Sequence, residues 1–196
     1  MLTQEGSALV ELDVQPVGLS DEQFFGLCHA NEEFRLELSS NGKLIIMPAN
    51  GGNAGLRNAS VTSQIVSWAE YYRTGVTFDG STMFNLPNGA KRSPDASWMT
   101  SDRWNSLSQD EQDGFVPLCP DFVVEIRSAP DLLSHLLEKM KEYVANGAQL
   151  GLLIDPQVRE VQVYRSDRTV ERLVEPQVVR CDPEMPGFVL HMSDIW

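Results

Sequence analysis

Two carboxylates stand out by their setting. In Phe122-Val123-Val124-Glu125-Ile126-Arg127, an acid and a base interrupt an otherwise apolar run. Alternation along a strand puts Phe122, Val124 and Ile126 on one face, and Val123, Glu125 and Arg127 on the other. An ionised glutamate inside a strand is costly to desolvate unless it is paired or bound to a cation. Two readings are therefore open for Glu125: a structural ion pair with Arg127 or a lysine, or a metal-ligating carboxylate aimed into a cleft at the sheet edge. Asp95 has a comparable place. It follows Pro94, a residue type tolerated at the first position of a strand, and it leads Asp95, Ser97 and Met99 along one face. Two carboxylates on adjacent strand ends can hold a hard divalent cation such as Mg²⁺, which prefers oxygen ligands and keeps several waters.

A cation lies in the next element. The spacing predicts a helix over 131–146 whose apolar stripe holds Leu132, Leu133, Leu136, Leu137, Met140 and Val144, with Tyr143 inside it. Lys139 falls at the edge of that stripe, and Glu138, Lys141 and Glu142 fall on the solvent side. Lys139 either snorkels to water or, with the helix packed beside the Glu125 strand, reaches the carboxylates.

The elements that must position these groups can be read in order. Ser20-Asp21-Glu22-Gln23 is a capping box opening a short helix to about His29. Residues 34–38 and 43–47 read as a hairpin joined through Asn41-Gly42, a strong turn signal. A Gly- and Asn-rich loop spans 48–55, and a long amphipathic helix follows, running to Gly75. Short strands are expected at 76–78, 83–86 and 95–99, then a polar helix over 101–113. After the Glu125 strand and its helix, 150–154 and 158–164 form a second hairpin around Asp155-Pro156. Residues 169–173 and 188–190 read as edge strands. The pattern predicts an α/β domain over 20–196 with one mixed central sheet flanked by helices and with N- and C-terminal hairpins, after a flexible lead-in over 1–19.

Composition narrows the class. At 196 residues, 42% hydrophobic and 22% charged, the chain is an ordinary globular one, long enough to bury a core unaided. No apolar run approaches the ~18 residues of a membrane span, and the N-terminus lacks the pattern of a signal peptide. Three widely spaced cysteines without a CxxC argue against a disulfide framework or zinc site and suit a reducing cytoplasm. Fifteen Lys and Arg against 28 Asp and Glu leave a net charge of −13. A duplex-gripping domain usually carries a basic footprint, so any footprint here must be local or supplied by bound cations. His29, His135 and His191 show no metal-ligand spacing. Arg57 and Asn58 open the long helix, either as an exposed helix start or as phosphate contacts. Gly51-Gly52 lacks the GxxxxGK pattern of a nucleotide-binding loop.

Together, Pro94-Asp95, the run from Pro120 to Ser128, Glu138-Lys139-Met140-Lys141-Glu142-Tyr143, Asn146-Gly147 and Leu152-Leu153-Ile154-Asp155-Pro156 resemble the Uma-type restriction endonuclease family. The likeness extends upstream through Arg35-Leu36-Glu37-Leu38, Gly42-Lys43-Leu44, Gly51-Gly52 and Arg57-Asn58, covering about residues 20 to 196. This family looks like a branch of the PD-(D/E)XK nucleases. The resemblance implies a restriction-endonuclease-like fold and Mg²⁺-dependent hydrolysis of DNA, with Mn²⁺ as a substitute. It also implies metal binding by Asp95, Glu125 and the backbone carbonyl of Ile126, with Glu37 lining the same pocket. The superfamily's usual lysine position holds Arg127, which is too basic to deprotonate water, and the lysine resembles one moved onto the following helix, Lys139. A cytoplasmic DNA-acting homodimer is the corresponding expectation. A nuclease-like fold without turnover, serving as a binding or regulatory module, is the alternative that the acidic balance favours.

Overall fold

Period-two alternation decides where the first sheet points. The computed structural model describes residues 9–47, 49–129 and 131–196. It begins with β1 (Val10–Asp13), α1 (Asp21–Ala30), β2 (Arg35–Leu38) and β3 (Lys43–Met47). The Ser20–Gln23 capping box is formed at α1. In the β2–β3 turn, Gly42 has φ +77°, and a Cβ there would stand 2.8 Å from Gln15. Leu36, Leu38 and Leu44 turn to Phe24 of α1 and form a small core with it. Arg35, Glu37, Lys43, Ile45 and Met47, one residue out of phase, face the opposite side and line a cavity. Residues 10–13, within the stretch read as a flexible lead-in, pair antiparallel with β3. Residues 1–8 of that stretch, and Pro48 of the glycine-rich loop, lie outside the described residues.

Then come α2 (Gly52–Tyr72), β4 (Gly75–Asp79), β5 (Phe84–Asn85), β6 (Lys91–Arg92) and β7 (Ala96–Thr100). The helix α2 begins inside the segment expected to be loop, with Gly51 as its N-cap and no side-chain cap. It buries Val61, Ile65, Trp68 and Ala69 along one face. Gly75 lets β4 close on β7, since a Cβ there would sit 2.0 Å from the Met99 carbonyl oxygen. The polar segment over 101–113 is two short helices, α3 (Ser101–Asn105) and α4 (Gln109–Asp113), rather than one. A second capping box, Ser108 with Glu111, starts the latter.

The chain continues through β8 (Phe122–Ile126), α5 (Leu133–Ala145), β9 (Leu150–Asp155), β10 (Glu160–Arg165) and β11 (Val170–Val174). It closes with β12 (Val178–Arg180) and β13 (Val189–His191). Strands in the order β11-β10-β9-β8-β7-β4 make the central six-stranded sheet. It is antiparallel except at β8–β9, where α5 makes the crossover that a parallel pair requires. One face of β8, with Phe122, Val124 and Ile126, packs on α2 and the β12–β13 ribbon. The other carries Val123 toward Met140 and Tyr143 of α5.

The expected mixed α/β architecture is present, with one correction to the sheet. A second, five-stranded sheet, β1-β3-β2-β6-β5, stands apart from the central one. Residues 188–190 do not extend the central sheet: β13 pairs only with β12 in a separate ribbon, and its Leu190 is buried in the α2-side core. Hydrophobic pattern marks a strand but not its neighbour, so pairing had to come from the folded chain.

Candidate active site

A cavity of about 820 Å³ opens between the inward face of β2–β3, the ends of β7 and β8, and one side of α5. Glu37, Asp95, Glu125, Lys139 and Arg127 all line it. The first four are brought together by different routes. Glu37 comes from the inward phase of β2, Asp95 from the residue before β7, Glu125 from the α5 side of β8, and Lys139 from the middle of α5.

At the centre is one ammonium between two buried carboxylates. Lys139 Nζ lies 2.8 Å from Glu37 Oε1 and 2.8 Å from Glu125 Oε1. The Lys139 side chain is 10% exposed, so it does not snorkel to solvent. Glu37 also accepts from the Ser93 amide at 2.9 Å and from the Arg92 guanidinium at 3.1 Å. Burial alone would raise its pKa, but Lys139 and Arg92 outweigh that and hold it down to about 2. Glu125 goes the other way. Burial, with the negative charges of Asp95 and Glu37 nearby, pushes it up to about 7 despite Lys139. The two acids share a lysine, yet only one has a second cation. Burial works against the Lys139 charge, but Glu125 and Glu37 prevail and raise its pKa, so it stays an ammonium.

Glu125 has a further donor, the Tyr143 hydroxyl, 2.9 Å from Oε1. Both protein donors thus converge on one oxygen, and among the described residues none reaches Oε2. Asp95 accepts from the Ile126 amide at 2.9 Å on Oδ2, and from Asn58 at 3.1 Å and Arg35 at 3.4 Å on Oδ1. The contact made at Ile126 is therefore through its N–H. Arg127 turns away from Glu125 and pairs with Asp155 at 2.7 Å on the neighbouring strand β9.

Several participants were not singled out from sequence. Arg35 lies two residues before Glu37, and that spacing on a strand is the signal for a shared face. Arg92 bridges Glu37 and Glu142, with 2.6 Å to the latter. It lies in a two-residue strand without any apolar pattern to announce it. Tyr143 was assigned to the apolar stripe, and its ring is fully buried there, but its hydroxyl joins the polar cluster. Glu142 is not on the solvent side: it also accepts from Asn88 at 2.9 Å. The hairpin tip at Asn88 and Arg92 cover that flank of α5. Leu132 leaves the stripe, since it precedes the helix and is 60% exposed. Arg57 donates through Nε to the Ile195 carbonyl at 2.8 Å.

The donor set decides what the cavity could hold. Among the described residues, no group of three or more His, Cys, Asp or Glu side chains is arranged around one point. Two carboxylates suffice for Mg²⁺, which is commonly bound through one or two of them and keeps its waters. Asp95 and Glu125 are oxygen donors of that kind, and the unengaged Oε2 of Glu125 fits such a ligand.

Comparisons with known proteins bear on the fold and the family. The chain is similar to the crystal structure of "a putative nuclease belonging to DUF820" from Anabaena variabilis ATCC 29413, with a TM-score of 0.75 and 22% identity. The match covers 91% of this chain and 97% of that one. At that identity it speaks for the fold. No curated protein matches. The model of the Uma2 family, described as "Putative restriction endonuclease", matches residues 21–193, and the chain belongs to that family.

Proposed function

We propose that the protein is a divalent-metal-dependent endonuclease that hydrolyses phosphodiester bonds of DNA. The observation that carries this reading is the Lys139 ammonium held between Glu37 and Glu125 in the cavity that Asp95 also lines. Asp95 and Glu125, with the backbone carbonyl of Ile126, are the residues that would hold Mg²⁺, or Mn²⁺ in its place. When bound, such an ion lowers the pKa of a water and offsets charge developing on the phosphate.

The remaining roles belong to the chain itself. Glu37 and Glu125 take two of the three N–H groups of the Lys139 ammonium and fix it in place, which leaves the third for a reacting phosphate or attacking water. Asn58, Arg35 and the Ile126 amide orient the Asp95 carboxylate. Arg127 is committed to Asp155, which favours Lys139 over Arg127 as the functional cation. No helix among the described residues is long and apolar enough to cross a membrane. The three cysteines are free, which suits a cytoplasmic setting. A homodimer belongs to the same reading and is tested by sedimentation velocity.

Supercoiled and single-stranded DNA incubated with the purified protein in Mg²⁺, Mn²⁺ or EDTA test the activity. Cleavage in either metal and none in EDTA is expected. One observation favours the second reading, a non-catalytic binding module: Glu37, Glu125, Lys139 and Arg92 form a connected ion-pair network of their own. Absence of cleavage on every DNA form and metal would support that module.

A further inference from the structure

The charge of the molecule is unevenly placed. Six Lys or Arg (Arg35, Lys43, Arg57, Arg92, Arg127 and Lys139) and seven Asp or Glu line the cavity. The whole chain carries 15 against 28. Nearly all of the negative excess therefore lies on the rest of the surface, and the cavity wall itself is close to balanced. Its mouth is not welcoming either, because Glu11 and Glu138 line it and are exposed.

The cavity's cations are also mostly committed. Lys139 and Arg92 hold Glu37, Arg127 holds Asp155, Lys43 holds Asp13, and Arg35 holds Asp95. Among the described residues, Arg57 is the cavity cation with no carboxylate partner. Its Nε is pinned by the Ile195 carbonyl, which leaves the two terminal nitrogens of the guanidinium to face a ligand. Half-buried Ile45 and Met47 of β3 and Leu136 of α5 line the same cavity and give it apolar surface.

A duplex presents one phosphate charge per ~1.7 Å of axis and is gripped by neutralising many of them at once. It keeps its base faces stacked inside. Neither feature matches a balanced cavity with one uncommitted cation, an apolar wall and an acidic surround. A single strand fits better, since it can offer one phosphate to a lone cation and its bases are splayed out and free to lie against an apolar surface. Resting on the nuclease reading above, we propose that this cavity takes a single-stranded polynucleotide segment, a strand end or an unpaired flap, and not a continuous duplex. Arg57 receives a phosphate, and the Ile45–Met47–Leu136 wall receives a base.

The test compares one end-labelled 20-nucleotide DNA strand, its blunt duplex, and a duplex carrying a ten-nucleotide overhang. Binding is read by fluorescence anisotropy in EDTA and in Ca²⁺, and cleavage in Mg²⁺ and Mn²⁺. The strand and the overhang are expected to be bound and cut at least tenfold better than the blunt duplex. With one or two phosphates engaged, strand affinity should fall about three- to sevenfold between 50 and 200 mM salt. Arg57→Gln should weaken strand binding and flatten that salt dependence. Met47→Gln, at a half-buried site, should weaken strand binding with the salt dependence kept. Equal or better handling of the blunt duplex overturns the proposal, as does a salt loss of a thousandfold or more. If no DNA form is bound or cut in any metal, the nuclease reading itself falls and takes this proposal with it.

Discussion

The two faces of β8 show what a strand can be used for. Toward α2, Phe122, Val124 and Ile126 join a large apolar core with Ile65, Leu152 and Leu190. Toward α5, one residue along, Glu125 meets Lys139 and Tyr143. Burial of the first face is favourable at about 25 cal/mol per Å² of apolar surface. Burial of the second is not favourable by itself, because desolvating a carboxylate and an ammonium offsets much of their attraction. The apolar face makes the strand central. The polar face is then carried in by the strand's alternation and largely shielded by the rest of the fold at the bottom of the cavity. The core face and the proposed catalytic face are thus separated by a single residue of register.

Substitutions on the two faces should therefore fail differently, and the largest effect belongs to the polar one. Lys139→Met is expected to lower cleavage by about 100-fold or more, in the range for loss of a positioned catalytic group. It also leaves Glu37 and Glu125 without their shared cation, so a loss of about 3 kcal/mol in urea unfolding is expected. Glu125→Gln in the same chain should recover part of that stability and none of the activity. Undiminished cleavage by Lys139→Met would move the chemistry elsewhere.

On the apolar face, Leu152→Ala should cost about 2–5 kcal/mol through lost burial and a residual cavity. Cleavage per folded molecule should stay near that of the unmutated protein. If activity falls with Leu152→Ala as far as with Lys139→Met, the two faces are not separable.

Acid titration sharpens the contrast within the polar face. The Glu37 pKa is depressed in the folded chain, from 4.5 to about 2. Its contribution is complete above the unfolded value and is lost as pH falls from about 4.5 toward 2, about 3 kcal/mol in all. Glu125 is raised to about 7, so in EDTA the folded state is penalised as pH climbs from 4.5 through 7. Denaturant melts should show Glu37→Gln removing the acid-limb loss and Glu125→Gln removing the penalty at pH 8. Identical pH profiles for the two variants would show that the carboxylates are equivalent.

Tyr143→Phe deletes one hydrogen bond to Glu125 and keeps the buried ring, for about 1–3 kcal/mol given the charged acceptor. The smallest effect is expected for Arg127→Met. Its partner is Asp155, so cleavage should change by no more than a few fold, and a complete loss would identify Arg127 as the functional cation.

Much of this was legible in the residues, for reasons that are local. The Ser20–Gln23 capping box needs only its own turn, and α1 starts there. Asn41-Gly42 supplies the positive φ of its turn without help from the rest of the chain. The alternation in Phe122–Ile126 fixes which residues share a face, whatever the neighbouring strands are. The stripe on α5 placed Met140 and Tyr143 inside and Lys139 at the border. Other features were not legible because they belong to pairs distant in the chain. Nothing in Lys91-Arg92 announces a strand, and β6 exists because β2 and β5 flank it. Glu142 reads as a solvent residue until Arg92 and Asn88 fold over it. Arg127 sits on the same strand face as Glu125 by count, but Asp155 on β9 draws it aside.

The sequence by itself determined most of the longer elements, their faces and the presence of acids and a lysine where burial is costly, because those follow from periods of 2 and 3.6 and from single side chains. Tertiary structure alone decided that there are two larger sheets instead of one, that Glu37 and Glu125 share Lys139, and that only Glu37 receives Arg92. A buried charge takes its state from whichever partners lie within a few ångströms. Those partners come from residues 37, 92, 125 and 139, which no local spacing relates.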